Sequence, residues 1–290
     1  MVQNGHRAEQ SRRVRGATQS VGVVAVKKKF EGADDLDWSL SESELTGTLL
    51  NHESSALLFG VVEGETVLEE LRDLGAIKKL EARGYREFRV DKRTRVQHGD
   101  RFLLWAVHES DGSEYLLCDI RTRFAEIDWS GTKIKALFWE WLGFQDPKGT
   151  FAKDRPPLPG QEYPGLGVFR ECTRMLRNHI GKTNADVIAA VPEYFHNAWL
   201  YSRTFCFRDP KVEGQFRALV RDLMPQGLAA TSHAIHDGRV VDEQGEIFEW
   251  KPHHQVFPLP PDTKAHFGTD EYQKMVQYSE RTFRFSTKNS

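Results

Sequence analysis

Apolar residues return every three or four positions between Glu65 and Arg83, where Val67, Leu68, Leu71, Leu74, Ile77 and Leu80 fall on one side of a 3.6-residue spiral. Gly75 interrupts the run and Gly84 follows it, so the spacing predicts one long helix or two short ones. Beyond Gly84 the character changes. Tyr85 to Val90, Arg101 to Glu109 and Glu114 to Arg123 read as strands, the last two joined by Ser110-Asp111-Gly112-Ser113, a hairpin turn with Asp-Gly at its centre. Lys133 to Leu142 follows the turn Ser130-Gly131 as a fourth strand. A helix followed by a four-strand meander predicts an antiparallel sheet.

Five prolines (Pro147, Pro156, Pro157, Pro159, Pro164) make Asp146 to Pro164 a constrained loop. After Gly165-Leu166-Gly167, the residues Val168, Cys172, Met175, Leu176 and His179 share a helical face, and Gly181 stands where that helix would end. Asp186 to Val191 is a short apolar run, as expected of a strand covered on both faces. Pro192 opens a helical stretch to about Arg203, then come a short strand, Thr204 to Arg208, the turn Asp209-Pro210 and an amphipathic helix, Lys211 to Leu223. Residues 225–290 read as an extension: a hairpin of Arg239 to Val241 with Glu246 to Trp250, a Pro-rich link over 252–261, and a helix near Asp270 to Arg281. The expected fold class is α/β of the α+β kind, with a mixed, mostly antiparallel central sheet flanked by helices.

Composition narrows the function classes. The 290 residues carry 39% hydrophobic and 28% charged side chains, enough apolar material for a folded core. Lys and Arg (40) nearly balance Asp and Glu (42), so no global field draws the protein to nucleic acid or to anionic lipid. That balance hides two opposite blocks. Residues 1–29 hold Arg7, Arg12, Arg13, Arg15 and Lys27 to Lys29 against Glu9, whereas 30–54 hold seven acids and no Lys or Arg. Residues 1–54 are therefore expected to be a charged, partly disordered arm, and its basic part 7–29 is the one segment suited to a nucleic-acid partner. Three cysteines at irregular spacings suit a reducing compartment, and no apolar run approaches the roughly 20 residues of a membrane span. Val21 to Val26 precedes its lysines, the reverse of a secretory signal, so a cytoplasmic location is expected. Oligomerisation is left open.

The stretch Pro159-Gly160-Gln161-Glu162-Tyr163-Pro164-Gly165-Leu166-Gly167 runs straight into a helix. Glycines there let backbone N–H groups approach a ligand, and a helix start favours negative charge, so the segment reads either as an anion cradle or as a structural turn. Cys206 with His196 or His179 supplies the parts of a thiol nucleophile without an electropositive setting for it. His233-x-x-His236 with Asp237, and His253-His254, lack common zinc spacing, so no metal is expected.

Four strands, a Gly-x-Gly loop at a helix start, a buried strand, a helix bearing Asn and Tyr and a Phe-rich strand together resemble the acyl-coenzyme A-dependent N-acetyltransferase (GNAT) superfamily over residues 60–210. In that family a Gln/Arg-x-x-Gly-x-Gly/Ala loop holds the coenzyme pyrophosphate. Its place is taken here by Glu162 to Gly167, with Gln161 one residue early. The resemblance assigns cofactor binding to Gln161, Gly165, Leu166, Gly167 and Val168, and a contact to the coenzyme arm to Asn197, which otherwise caps local backbone. Tyr201 matches the family's thiolate-protonating Tyr, one residue out of register, and Cys206 replaces a usual glycine. Glu140 is the first candidate base. A period of two puts it with Ile134, Ala136 and Phe138, an apolar setting that raises a carboxyl pKa, or else it is a strand-end Glu paired with an Arg. Glu193, His196 and Asp119 are reserves.

The resemblance thus implies an acyltransferase domain over 55–224. It would move an acetyl or other acyl group from acetyl-CoA or another acyl-CoA, as co-substrate, to a small-molecule or protein amine. The alternative is an inactive relative of that fold serving as a protein-interaction module.

Overall fold

The computed structural model describes residues 64–95, 99–129 and 131–288. The charged arm 1–54 lies outside the described residues. The first helical pattern forms two short helices, α1 (Gly64–Asp73) and α2 (Ala76–Glu81), separated at Gly75, whose φ of +80° is natural only to glycine. Four antiparallel strands follow: β1 (Tyr85–Arg95), β2 (Gly99–His108), β3 (Glu114–Trp129) and β4 (Thr132–Phe144). The Asp-Gly turn and the turn at Gly131 fall where the sequence puts them, with Gly112 at φ +65° and Gly131 at φ +83°. The strands are longer than their alternating stretches because β3 and β4 stay paired to their tips, from Cys118 opposite Phe144 to Trp129 opposite Thr132.

The chain then makes a crossover: helix α3 (Phe169–Ile180) leads to β5 (Val187–Ala190), which lies parallel to β4. Every residue of β5 is buried, as its unbroken apolar run requires. Helix α4 (Phe195–Tyr201), strand β6 (Cys206–Phe207) and helix α5 (Pro210–Leu223) come next. They are followed by a single 3₁₀ turn (Met224–Gln226), α6 (Leu228–His236), β7 (Val240–Val241), β8 (Gln255–Pro258), α7 (Pro261–Gly268), α8 (Asp270–Thr282) and β9 (Ser286–Thr287). The main sheet runs β1-β2-β3-β4-β5-β8-β6, mixed and largely antiparallel with helices on both faces, as the fold-class expectation has it.

One face of the sheet is covered by α1, α2 and α3, where Val67, Ile77, Leu80, Met175 and Leu176 meet Phe102, Leu104, Ile120, Leu137 and Leu142. Each such side chain contributes about 1.5–3 kcal/mol on burial. On the other face α7 and α8 bring Phe267, Tyr272 and Val276 onto Ala136, Val187, Ala189 and Val256. A third cluster joins α4, α5 and α6 through Phe195, Phe216, Leu219 and Ile235. Helices α5 and α8 approach closely at Gly214, where a Cβ would lie 2.4 Å from the Val276 carbonyl oxygen.

Two expectations are corrected. The Pro-rich link 252–261 contains β8, a strand inside the main sheet. Pro258 is tolerated because it pairs Val187 beyond the reach of β6, which meets only Gln255 and Val256. The hairpin expected for 239–250 is reduced to a turn with one bridge, Val241 to Ile247, because β7 takes β9 as its ladder partner. Gly181 caps α3 where the sequence puts it, at φ −62°. Helix α6 has no counterpart in the apolar pattern.

Candidate functional site

A parallel strand pair needs a crossover, and the crossover here sets the start of α3 beside the C-terminal end of β4. Strands β4 and β5 are paired from Ala136–Val187 to Trp139–Ala190 only. Past that point β5 has ended while β4 runs on to Phe144, so the edge of β4 facing β5 has no strand partner there. The separation begins at a bulge. Arg121 pairs Trp141 and Thr122 pairs Trp139, leaving Glu140 as the extra residue.

Tyr201, the last residue of α4, sits beside this gap. Its ring centroid is 6.5 Å from Trp139 of β4, 6.5 Å from Phe169 at the start of α3 and 5.8 Å from Phe205. Burial pushes its hydroxyl pKa well up, so the proton stays on at neutral pH. Asn197 lies one helical turn earlier on α4 and is buried. Two buried polar atoms in this region have no hydrogen-bond partner among the described residues: the donor Trp139 Nε1 and the acceptor Asn197 Oδ1.

The glycine loop adjoins from the other side. Gly167 takes φ +68°, which turns Leu166 and Val168 into the core while Gly165 and Gly167 stay partly open. Arg83 Nη1 donates to the Gly165 carbonyl (3.3 Å), and Lys79 Nζ approaches that of Gly167 (3.5 Å). Lys79 also holds the buried Glu171 in the first turn of α3 at 3.0 Å. Arg83 is in turn fixed by Asp146, which accepts from its Nη1 at 2.8 Å and from the Tyr85 hydroxyl at 2.6 Å. The Asp146 N–H donates to the Pro164 carbonyl (2.7 Å), closing 146–164 into an Ω-shaped loop. Gln161 accepts the Leu158 N–H through Oε1 (2.9 Å), so that oxygen braces the loop.

The other sequence candidates separate. Glu140 does not lie in an apolar setting. It is exposed and bound at 2.6 Å to Arg123, whose guanidinium lies over Phe138. The alternation holds as far as Glu140, and it is the Arg123 ion pair that replaces the apolar setting, the alternative the sequence left open. The Glu140 carboxylate shares the Phe138 face, as the period of two puts it, whereas Tyr201 packs on the Trp139 face. Glu193 is half-buried just before α4 and helps raise the pKa of Tyr194, after the larger effect of burial. Asp119 is gripped by Arg101 through two 3.0 Å contacts and by Arg121 at 3.0 Å, a structural ion-pair group.

His196 is fully buried, and its pKa falls to about 3 through burial, with His233 and His236 adding to the effect. Burial raises the Cys206 thiol, opposite to what a thiolate nucleophile needs. His233 Nε2 lies 3.0 Å from the Pro157 carbonyl, and His254 packs against Phe138. Among the described residues no group of three or more His, Cys, Asp or Glu is placed to hold a metal ion, and no helix is long and apolar enough to cross a membrane.

Lys79, Arg83 and Asp146 are the site residues the sequence reading missed. Arg83 and Asp146 are 63 positions apart, and no local pattern couples them. In comparisons with known proteins, no family model and no curated protein matches the chain.

Proposed function

We propose that the chain transfers an acyl group from coenzyme A to an amine at the gap between β4 and β5. The observation that carries this reading is the gap itself: two parallel strands part at a bulge, with Tyr201 and the start of α3 at its mouth. Ligands of open α/β sheets favour such C-terminal crevices. The unpartnered Trp139 N–H and Asn197 carbonyl oxygen are one donor and one acceptor, a set that suits an amide-bearing arm laid along the free edge of β4. Gly165 and Gly167, with Lys79 and Arg83 beside them, suit a pyrophosphate.

Coenzyme A would supply the thioester whose carbonyl carbon an amine attacks. Tyr201, held protonated by burial, donates to the departing thiolate. Glu193 before α4 takes the proton from the amine, since Glu140 is held by Arg123 on the other face of the sheet. Backbone groups on the unpaired edge of β4 orient the carbonyl. Isothermal calorimetry with acetyl-CoA tests the reading: binding in the micromolar range is expected, and no heat with no thermal shift at millimolar ligand overturns it.

One observation favours the alternative, a fold that has kept its shape as an interaction module. Glu171 already places a buried carboxylate in the first turn of α3, partnered by Lys79. If that charge repels the pyrophosphate, the same titration gives no heat.

A further inference from the structure

A second candidate site lies apart from the strand gap, in a cleft of its own. It lies between the Ω-loop and the first turn of α6 and has a volume of about 620 Å³, within the range of small-molecule sites. Its walls come from segments more than 60 residues apart. Phe151, Leu158 and Pro164 of the loop line it with Leu228 and Ala229 of α6, Arg83 joins them from the turn after α2, and Gly165 is shared with the glycine loop. The loop cannot drift away from α6. Asp146 closes its base, and the contact between His233 and the Pro157 carbonyl ties its far side to the helix. Gly149 keeps the base tight, because a Cβ there would lie 2.8 Å from the Asp146 carboxylate.

The lining also has a chemical bias. Arg83 spends one nitrogen, Nη1, on Asp146 and Gly165, while Nε and Nη2 have no partner among the described residues. Asp146 is satisfied by two donors, so it orients the guanidinium and leaves an unused fork suited to a phosphate or carboxylate. Phe151 is half-buried in the lining, with no ring contact to another described aromatic, and offers a flat apolar surface.

We propose that this cleft binds a nucleotide, with a phosphate on the unused edge of Arg83 and the base against Phe151. Two sources share that chemistry: a free nucleotide, or the nucleotide end of coenzyme A reaching round from Gly165. Only the second rests on the acyl-transfer reading.

Calorimetry with adenosine 3′,5′-bisphosphate, coenzyme A and pantetheine separates these sources. The variants are Phe151→Ala, and Ala230→Trp on the exposed start of α6, which fills the cleft without touching Asp146. The bisphosphate is expected to bind the native chain and to bind each variant at least tenfold more weakly, at unchanged melting temperature. Absence of bisphosphate binding at millimolar concentration, or equal affinity in both variants, overturns the proposal. If coenzyme A and the bisphosphate each bind the native chain and Ala230→Trp alike, the cleft proposal falls and acyl transfer stands. If the bisphosphate binds and coenzyme A does not, the cleft stands and acyl transfer falls.

Discussion

Two buried polar groupings in this protein look alike in composition and differ in how they are satisfied. Around Asp146, each carboxylate oxygen has its donor, Tyr85 on one side and Arg83 on the other, and the loop that follows folds back onto the same residue. Along α4 and α6, both ring nitrogens of His196, Asn197 Oδ1 and Ser232 Oγ are buried without a hydrogen-bond partner among the described residues. A satisfied group locks the chain where it stands. An unsatisfied one costs stability, about 1–3 kcal/mol for each group, and marks ground where stability is not what the residues serve. Asn197 and Tyr201 share one face of α4, so the costly region and the proposed site coincide on that helix.

At neutral pH, breaking the satisfied grouping should have the largest effect. Asp146→Ala leaves the Tyr85 hydroxyl buried without an acceptor and is expected to cost about 3 kcal/mol in urea unfolding. A loss below about 1 kcal/mol would mean that the loop does not depend on this residue.

The unsatisfied grouping should respond in the opposite sense. His196 is neutral in the fold down to about pH 3 but takes up a proton near pH 6.5 when unfolded. Between those values the unfolded chain binds more protons. Stability should therefore fall as pH drops from 6.5 to 3, by up to about 1.4 kcal/mol per unit, and stay level above 6.5. In His196→Leu the slope should flatten and stability at pH 7 should rise by about 1 kcal/mol. Parallel pH profiles for the two proteins would assign the acid sensitivity elsewhere.

Gly149→Ala sharpens the first case by pushing on Asp146 without removing it, and should cost about 1–2 kcal/mol by the same unfolding measurement. Tyr201→Phe probes the border between the two. Its hydroxyl has no hydrogen-bond partner among the described residues, so stability should change by no more than about 0.5 kcal/mol, while acetyl transfer should fall at least tenfold in kcat. An unchanged kcat would make Tyr201 a packing residue.

Helices α1 and α2 and the meander were readable because their signals are local: the spacing from Val67 to Leu80, the break at Gly75, and the turns at Gly112 and Gly131. Strand β8 was not, because Pro258 and Pro260 mark a loop by composition, and only the sheet reveals that β6 stops short of Pro258. Helix α6 escaped because Leu228-Ala229-Ala230-Thr231-Ser232-His233 has no apolar stripe and is buried by what packs on it. At the site, Gly165, Gly167 and Tyr201 could be found from local pattern. For Glu140 the period of two found the face but could not choose between an apolar setting and an Arg partner, because Arg123 reaches it from the neighbouring strand, and the bulge there leaves no trace in an alternating sequence.

The position of β8 also orders events during synthesis. Strand β5 has its second neighbour only in residues 255–258, and β6 joins the sheet only through them. A nascent chain that has emerged as far as Phe207 therefore holds a finished meander with a raw, wholly apolar edge at Val187–Ala190. That edge must wait for some fifty further residues before it is paired. Exposed edges of this kind recruit other chains, so translation arrest before Gln255 should yield aggregates. A holding chaperone has its natural window in that interval.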